Sequence, residues 1–113
     1  MQASTAFRIG ALVDSAGFSM QGEVKEYCKI GSTGERRMQV FCPTCATSIY
    51  SYTPDNPAAL YSLRLGAVKE LRQLRPALQI WRRSALPWLP ELESIPCIME
   101  QDALAAALTP GAR

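Results

Sequence analysis

The sequence predicts a small, mainly β domain of short antiparallel strands. Short runs of alternating, β-branched or aromatic residues recur along the chain and are separated by clusters of Gly, Pro, Asp and Ser, a pattern typical of small β domains. At 113 residues the chain is long enough for one hydrophobic core and too short for two. We therefore predict that residues 1–113 form a single domain.

Five segments have the composition expected of strands, and turn residues bound each of them. Glycines at 31 and 34 separate the second and third segments in the manner of a hairpin loop. The third segment runs directly into a pair of cysteines, after which the fourth begins. The predicted strands are residues 6–13, 24–30, 36–41, 47–52 and 60–65, with shorter extended pieces at 18–20 and 78–81.

Two segments have helical features. Val68, Leu71 and Leu74 recur at intervals of three residues and predict a short helix that Pro76 ends. Residues 99–108 are rich in Ala and Leu, with Asp102 near their start, and predict a C-terminal helix. Residues 109–113 are predicted to be a frayed tail.

Composition excludes several classes of function. The chain contains no histidine, so a Ser-His-Asp triad, a Cys-His pair and imidazole metal ligands are impossible within it. A net charge of +2 is too small to attract nucleic acid or an anionic membrane strongly. No apolar run approaches the ~20 residues that span a bilayer, and the first residues lack the apolar stretch of a secretory signal. We therefore predict a cytoplasmic protein with neither nucleic-acid nor membrane partners.

Cys42 and Cys45 form the strongest local motif. With two residues between them, both thiolates can face one point about 2.3 Å from a zinc ion, and Pro43 helps to fix the turn. A redox pair would need a helix after Cys45 to lower the thiol pKa, whereas the following segment has the composition of a strand. The favoured interpretation is a zinc knuckle, with a redox pair and inert cysteines as the alternatives.

The other two cysteines do not complete this motif in any obvious way. A knuckle supplies two of the four ligands of a structural zinc site. Cys28 and Cys97 lie on either side of the knuckle in the sequence, without turn residues that would pair them. We therefore expect each to be a buried, unpaired cysteine that packs as a small hydrophobic residue, while a role as a further ligand stays open.

The tryptophans and arginines allow two interpretations. Trp81 and Trp88 bracket two arginines, which is compatible with cation–π recognition or base stacking. With so small a net charge, the favoured interpretation is that both rings fill the core. The remaining arginines are expected to be scattered and solvated, namely Arg8, Arg36, Arg37, Arg64, Arg72 and Arg75.

Taken in order, these features resemble the glutathione-dependent formaldehyde-activating enzyme (GFA) family. Its members usually carry Phe-Cys-x-x-Cys-Gly, an apolar strand, a Gly-Thr-Leu-Asp-like segment, His-Ile-Trp and a later Trp. The resemblance covers residues 3 to about 96, and only its Cys-x-x-Cys is specific by itself. The matching pieces here are Phe41-Cys42-Pro43-Thr44-Cys45, Thr47-Ser48-Ile49-Tyr50, Leu63-Arg64-Leu65-Gly66, Ile80-Trp81 and Pro87-Trp88.

The resemblance implies a small zinc-bearing β-tent domain. Family members hold a structural zinc with an upstream Cys-x-Cys and the late Cys-x-x-Cys, and a second zinc on Cys-x-Cys-x-x-Cys serves the chemistry. Only Cys42 and Cys45 carry over, as half of the structural site. Ala46 and Gln79 replace the usual Gly and His, and the segment at Gly66 lacks the usual Asp. Since both upstream motifs are absent, the chain is expected to be N-terminally shortened.

Two functions from different classes follow from this resemblance. The first is a GFA-like zinc protein related to carbon–sulfur lyases that act on glutathione adducts such as S-hydroxymethylglutathione. Because the ligands of the catalytic zinc are absent from the chain, its activity is expected to be weak or lost. The alternative is a non-catalytic β-tent module that acts through homodimerisation or partner binding.

Overall fold

The computed structural model describes residues 5–56 and 58–99. The chain divides into two compact units, one ending at Ile80 and the other beginning at Trp81. The first unit contains one five-stranded antiparallel sheet, which confirms the predicted mainly β class. The prediction of a single domain stays a prediction. The strands are β1 (Gly10–Val13), β2 (Lys25–Ile30), β3 (Arg36–Phe41), β4 (Ser48–Tyr52) and β5 (Tyr61–Arg64).

The strand order is β1-β5-β4-β3-β2, so β4 lies at the centre and β1 and β2 form the two edges. β2 to β5 follow one another as hairpins, whereas β1 pairs with the distant β5. All five predicted strands are present. The first begins at Gly10 rather than at residue 6, because Gly10 lies opposite Arg64, where β5 ends.

One face of the sheet carries a cluster of aromatic side chains. Tyr50 and Tyr61 stack with their ring centroids 5.6 Å apart, and Tyr52 lies 5.1 Å from Tyr61. Phe18, from the segment between β1 and β2, covers this cluster at 4.7 Å from Tyr50. Such ring pairs add to the free energy of burying the rings themselves. The cluster therefore fixes the loop before β2 against the sheet.

The buried core is small. Among the described residues, the buried hydrophobic side chains are Val40, Tyr50 and Leu65, at 1%, 8% and 5% exposure. Val40 and Tyr50 lie opposite each other on the paired strands β3 and β4. The best-buried contacts are therefore at the centre of the sheet, where strand pairing and side-chain packing stabilise the same residues.

The helices of the described residues are short 3-10 helices rather than α-helices. The helix predicted at Val68–Leu74 is a 3-10 helix over Lys69–Gln73, and residues 78–81 form no strand. In the second unit, 3-10 helices span Arg82–Ser84 and Leu89–Ser94. Apart from Met99, the predicted C-terminal helix and the tail at 109–113 lie outside the described residues. No helix in the described ranges has the length and apolar character needed to cross a bilayer.

The prediction that both tryptophans fill the core is wrong. Trp81 is 65% exposed and Trp88 is 40% exposed. Trp81 adopts a left-handed backbone conformation before the 3-10 helix at Arg82–Ser84. The Arg83 guanidinium lies 5.0 Å from the centroid of its ring, at the distance of a cation–π contact. The ring is therefore solvated on the surface of the second unit.

The connection between β3 and β4 is a tight turn that contains the cysteine pair. Cys42 N donates to Thr47 O and Ala46 N donates to Cys42 O, both at 2.9 Å. Ala46 has a φ of 62°, in the left-handed region that only glycine enters without steric cost. The turn therefore holds an alanine in a conformation better suited to glycine.

The Tyr52 hydroxyl makes the folding stability of the protein pH-dependent in the alkaline range. It donates to Glu26 Oε1 at 2.8 Å, and desolvation together with this hydrogen bond raises the pKa of Tyr52 to about 12. Since an unfolded tyrosine ionises near pH ~10, the unfolded chain loses this proton first. Stability therefore falls as pH rises from about 10 to about 12. The free energy of unfolding, measured with denaturant, is expected to fall more between pH 9 and pH 11 for the parent than for Tyr52→Phe. Equal losses would contradict this assignment.

Ala46→Gly is expected to stabilise the protein. Releasing the left-handed strain gains about 1–2 kcal/mol, and the greater freedom of glycine in the unfolded chain costs about 0.4–1 kcal/mol. The free energy of unfolding, measured with urea, should therefore rise by about 1 kcal/mol. The control is Ala67→Gly, an exposed position without a positive φ, which should lose stability. If both variants lose equally, the strain at Ala46 is not significant.

Candidate functional site

The turn after β3 brings Cys42 and Cys45 to one side of a compact loop. Its two backbone hydrogen bonds close the segment from Cys42 to Thr47. Both cysteines are free thiols; Cys45 is exposed and Cys42 is partly exposed. β4 follows at Ser48, so the helix that activates a redox Cys-x-x-Cys is not formed after Cys45. The geometry favours a metal-binding knuckle over a redox pair.

Local hydrogen bonds favour the thiolate form of Cys45. The Thr47 hydroxyl lies 3.0 Å from Cys45 Sγ. Hydrogen bonds from the side chain and then the backbone of Thr47, followed by one from Cys42, lower the pKa of the Cys45 thiol. Thiolates are the form in which cysteine binds metal. The two side chains are therefore arranged as a pair of soft ligands for a cation such as zinc.

The described residues of one chain offer at most two of the four ligands that a structural zinc site needs. A closed zinc site needs four ligands in tetrahedral geometry. Within 5–56 and 58–99, no group of three or more Cys, Asp or Glu side chains is close enough to hold a metal ion. Cys42 and Cys45 could therefore supply two ligands, and a closed zinc site would need two more from outside the described part of one chain.

The expectation that Cys28 and Cys97 are buried is wrong. Both are exposed, and neither joins the pair in the turn. Cys28 lies on β2, an edge strand that pairs only with β3. Edge strands are open to solvent along one side. Cys28 and Cys97 are therefore surface thiols.

A concavity of about 590 Å³ lies in the first unit and reaches the neighbours of the cysteines. Its apolar wall includes Phe7, Ile9 and Leu71, which are 55%, 36% and 42% exposed. Phe41 and Ala46, next to Cys42 and Cys45, line the same space. A volume of this size suits a small molecule.

Arginines form the charged part of this site, which the sequence analysis missed. Arg8 and Arg64 line the concavity. Arg37 donates to Thr53 Oγ1 at 2.8 Å and to Ser51 Oγ at 3.1 Å. Arg64 lies within 3.5 Å of the same Ser51 oxygen. The expectation of scattered, solvated arginines is therefore wrong for Arg37 and Arg64, which are partly buried and share Ser51, whereas Arg8 is exposed as expected.

The strand pairing explains why they meet. Ser51 of β4 lies opposite Ser62 of β5, and Arg64 follows two residues later on the same face. Ser51 also lies opposite Gln39 of β3, two residues after Arg37. The exposure pattern of each strand alone does not reveal the cluster. The signal is the alternation of Arg and Ser with aromatic or aliphatic residues, which becomes informative once the strand order is known.

The three guanidinium groups repel one another. Desolvation, and then the charge of Arg37, lower the pKa of Arg8. Desolvation followed by the charges of Arg8 and Arg37 lowers the pKa of Arg64. Within the described ranges, the one ion pair joins Arg36 to Asp55, and Arg36 alternates to the other face from Arg37. The concavity therefore carries positive charge that no described carboxylate neutralises.

Comparison with known proteins identifies the family. The model of the family described as glutathione-dependent formaldehyde-activating enzyme matches residues 1–84. This match includes the whole sheet, the cysteine turn and the three arginines. No curated protein and no solved structure matches the chain with significant similarity. By this match over most of its length, the chain belongs to the glutathione-dependent formaldehyde-activating enzyme family.

Proposed function

We propose that the chain is a zinc-binding protein related to carbon–sulfur lyases and that its ligands are glutathione or other thiol adducts, such as S-hydroxymethylglutathione. The family match over residues 1–84 carries this proposal. The free Cys42–Cys45 pair and the adjacent concavity support it. A cytoplasmic location, where thiols stay reduced, suits such a protein.

The proposed zinc is structural in its coordination. Cys42 and Cys45 would hold it through their sulfurs, and it would fix the turn between β3 and β4. The sequence contains two further cysteines and no histidine, and the described residues bring neither cysteine to the pair. We therefore propose that this chain alone has at most weak lyase activity, with binding of the adduct as its main retained function.

Zinc content tests the proposal. We expect freshly purified full-length protein to contain zinc in elemental analysis, and Cys42→Ala or Cys45→Ala to lose it because each removes a ligand from the turn. Cys28→Ala is the matched control, since it removes an exposed thiol from β2 and should retain the metal. Zinc-free parent protein, or equal loss in all three variants, would contradict a metal site at the turn.

A second candidate function is that of a non-catalytic module that forms a homodimer. The edges of the sheet support it: among the described residues, β1 and β2 each pair with a neighbouring strand on one side only. Leu12 on β1 and Ile30 on β2 are 68% and 60% exposed. A second copy could cover such an edge and supply another Cys42–Cys45 pair, which would complete a four-sulfur site.

Mass and metal ratio together test the dimer. Light scattering coupled to gel filtration is expected to give twice the mass of one chain, with about one zinc per two chains. Ile30→Lys should shift the protein towards monomer, because a lysine on an edge strand opposes pairing. Glu35→Lys is the control, because it introduces a lysine at an exposed position in the adjacent hairpin loop rather than on the edge strand. A monomer that binds one zinc per chain would exclude the shared site.

A further inference from the structure

We infer that Arg8 and Arg64, the latter positioned by Arg37, form an anion-binding site at the concavity of the first unit, and that it takes a small molecule with a carboxylate or phosphate group and an apolar body. This inference goes beyond the proposed function, since it needs neither the zinc nor a thiol. It depends on the position of the arginines, the buried serine between them and the chemistry of the walls.

Two of the three arginines, Arg37 and Arg64, are held in place before any ligand binds. Ser51 is 3% exposed, and its hydroxyl oxygen receives Arg37 Nη2 at 3.1 Å and Arg64 Nη2 at 3.5 Å. Thr53 holds the other terminal nitrogen of Arg37 at 2.8 Å. A guanidinium has five N–H donors, so Arg64 retains several for a ligand. Arg64 is thus a preorganised donor, and Arg37 positions it through Ser51.

Arg8 is the group most available to a ligand. It is exposed, lies two residues before β1 and lines the concavity. Its guanidinium is in no ion pair within the described part of the chain, and it interacts unfavourably with the charges of Arg37 and Arg64. Like charges held together without a carboxylate are unfavourable. An oxyanion between Arg8 and Arg64 would remove this repulsion and accept charge-assisted hydrogen bonds from both.

The walls indicate the rest of the ligand. Phe7, Ile9 and Leu71 present partly exposed apolar surface beside the arginines. Burying that surface removes apolar area from water, so an apolar body adds affinity that an inorganic anion lacks. The volume of about 590 Å³ lies within the range of small-molecule sites. The site therefore favours an amphiphilic small anion.

Calorimetric titration of the full-length protein tests this in low-salt buffer. The probes are phenyl phosphate, phenylacetate, inorganic phosphate and benzyl alcohol. At least one aromatic anion should bind saturably, about tenfold or more tightly than benzyl alcohol, since a hydrogen bond to a charged group is worth that factor. The ratio between phenyl phosphate and phenylacetate distinguishes a phosphate ligand from a carboxylate. Inorganic phosphate binding as tightly as phenyl phosphate would overturn the apolar part of the inference.

Single-charge variants locate the site. Arg8→Gln and Arg64→Gln should each weaken anion binding about tenfold. Arg36→Gln removes the same charge but from the ion pair with Asp55, and should stay within about twofold of the parent because exposed charges act weakly at a distance. Equal loss in all three would show an effect of net charge, and no saturable binding of either aromatic anion would overturn the site.

Thermal melting separates a ligand site from a structural role. If Arg8 is positioned to bind an anion, Arg8→Gln removes one of the repelling charges, so the melting temperature of the ligand-free variant should be higher than that of the parent. Adding the anion should then raise the melting temperature of the variant by less than it raises that of the parent. A structural role predicts a lower melting temperature instead, which would overturn the inference for Arg8. The zinc content of Arg8→Gln should equal that of the parent, so this result is independent of the metal test.

Discussion

The pairing of β4 with β3 and β5 is the constraint on which the rest of the first unit depends. Few hydrophobic side chains are buried, and Val40 and Tyr50 face each other across the central pair. A small core leaves little packing free energy to choose among alternative registers. The backbone ladder and the alternation of side chains therefore select the register, which then determines what meets on each face.

That register divides the sheet into two chemically different faces. Tyr50, Tyr52 and Tyr61 alternate onto one face and stack there. Ser51, between Tyr50 and Tyr52, and Ser62, which follows Tyr61, pair with each other on the opposite face. A slip of one residue would bury the arginines against Phe18 and expose the tyrosines. The aromatic cluster therefore contributes indirectly to the charged site, because it makes that slip costly in free energy.

The strands could be predicted from the sequence because their signals are local. Alternation and turn residues located all five to within a few residues, and the spacing of Cys42 and Cys45 predicted a tight turn. The arginine cluster could not be predicted, because it depends on β1 pairing with β5 across about fifty residues of chain. The exposed tryptophans and the 3-10 helices were missed for a related reason. Propensity and apolar character do not reveal which surfaces the fold covers.

The cysteine turn and the arginines are parts of one local arrangement. The register shifts between Val40 and Phe41. Phe41 therefore lies opposite Ser48, whereas an unbroken register would place it opposite Ile49. β3 ends at this irregularity, with Phe41 as its last residue, and Phe41 and Ala46 lie beside the concavity that Arg8 and Arg64 line. A bulge re-aims side chains at the end of a strand. A ligand whose anionic group lies at the arginines would therefore extend its apolar part towards the turn, and a metal that fixes the turn would also fix that end of the concavity.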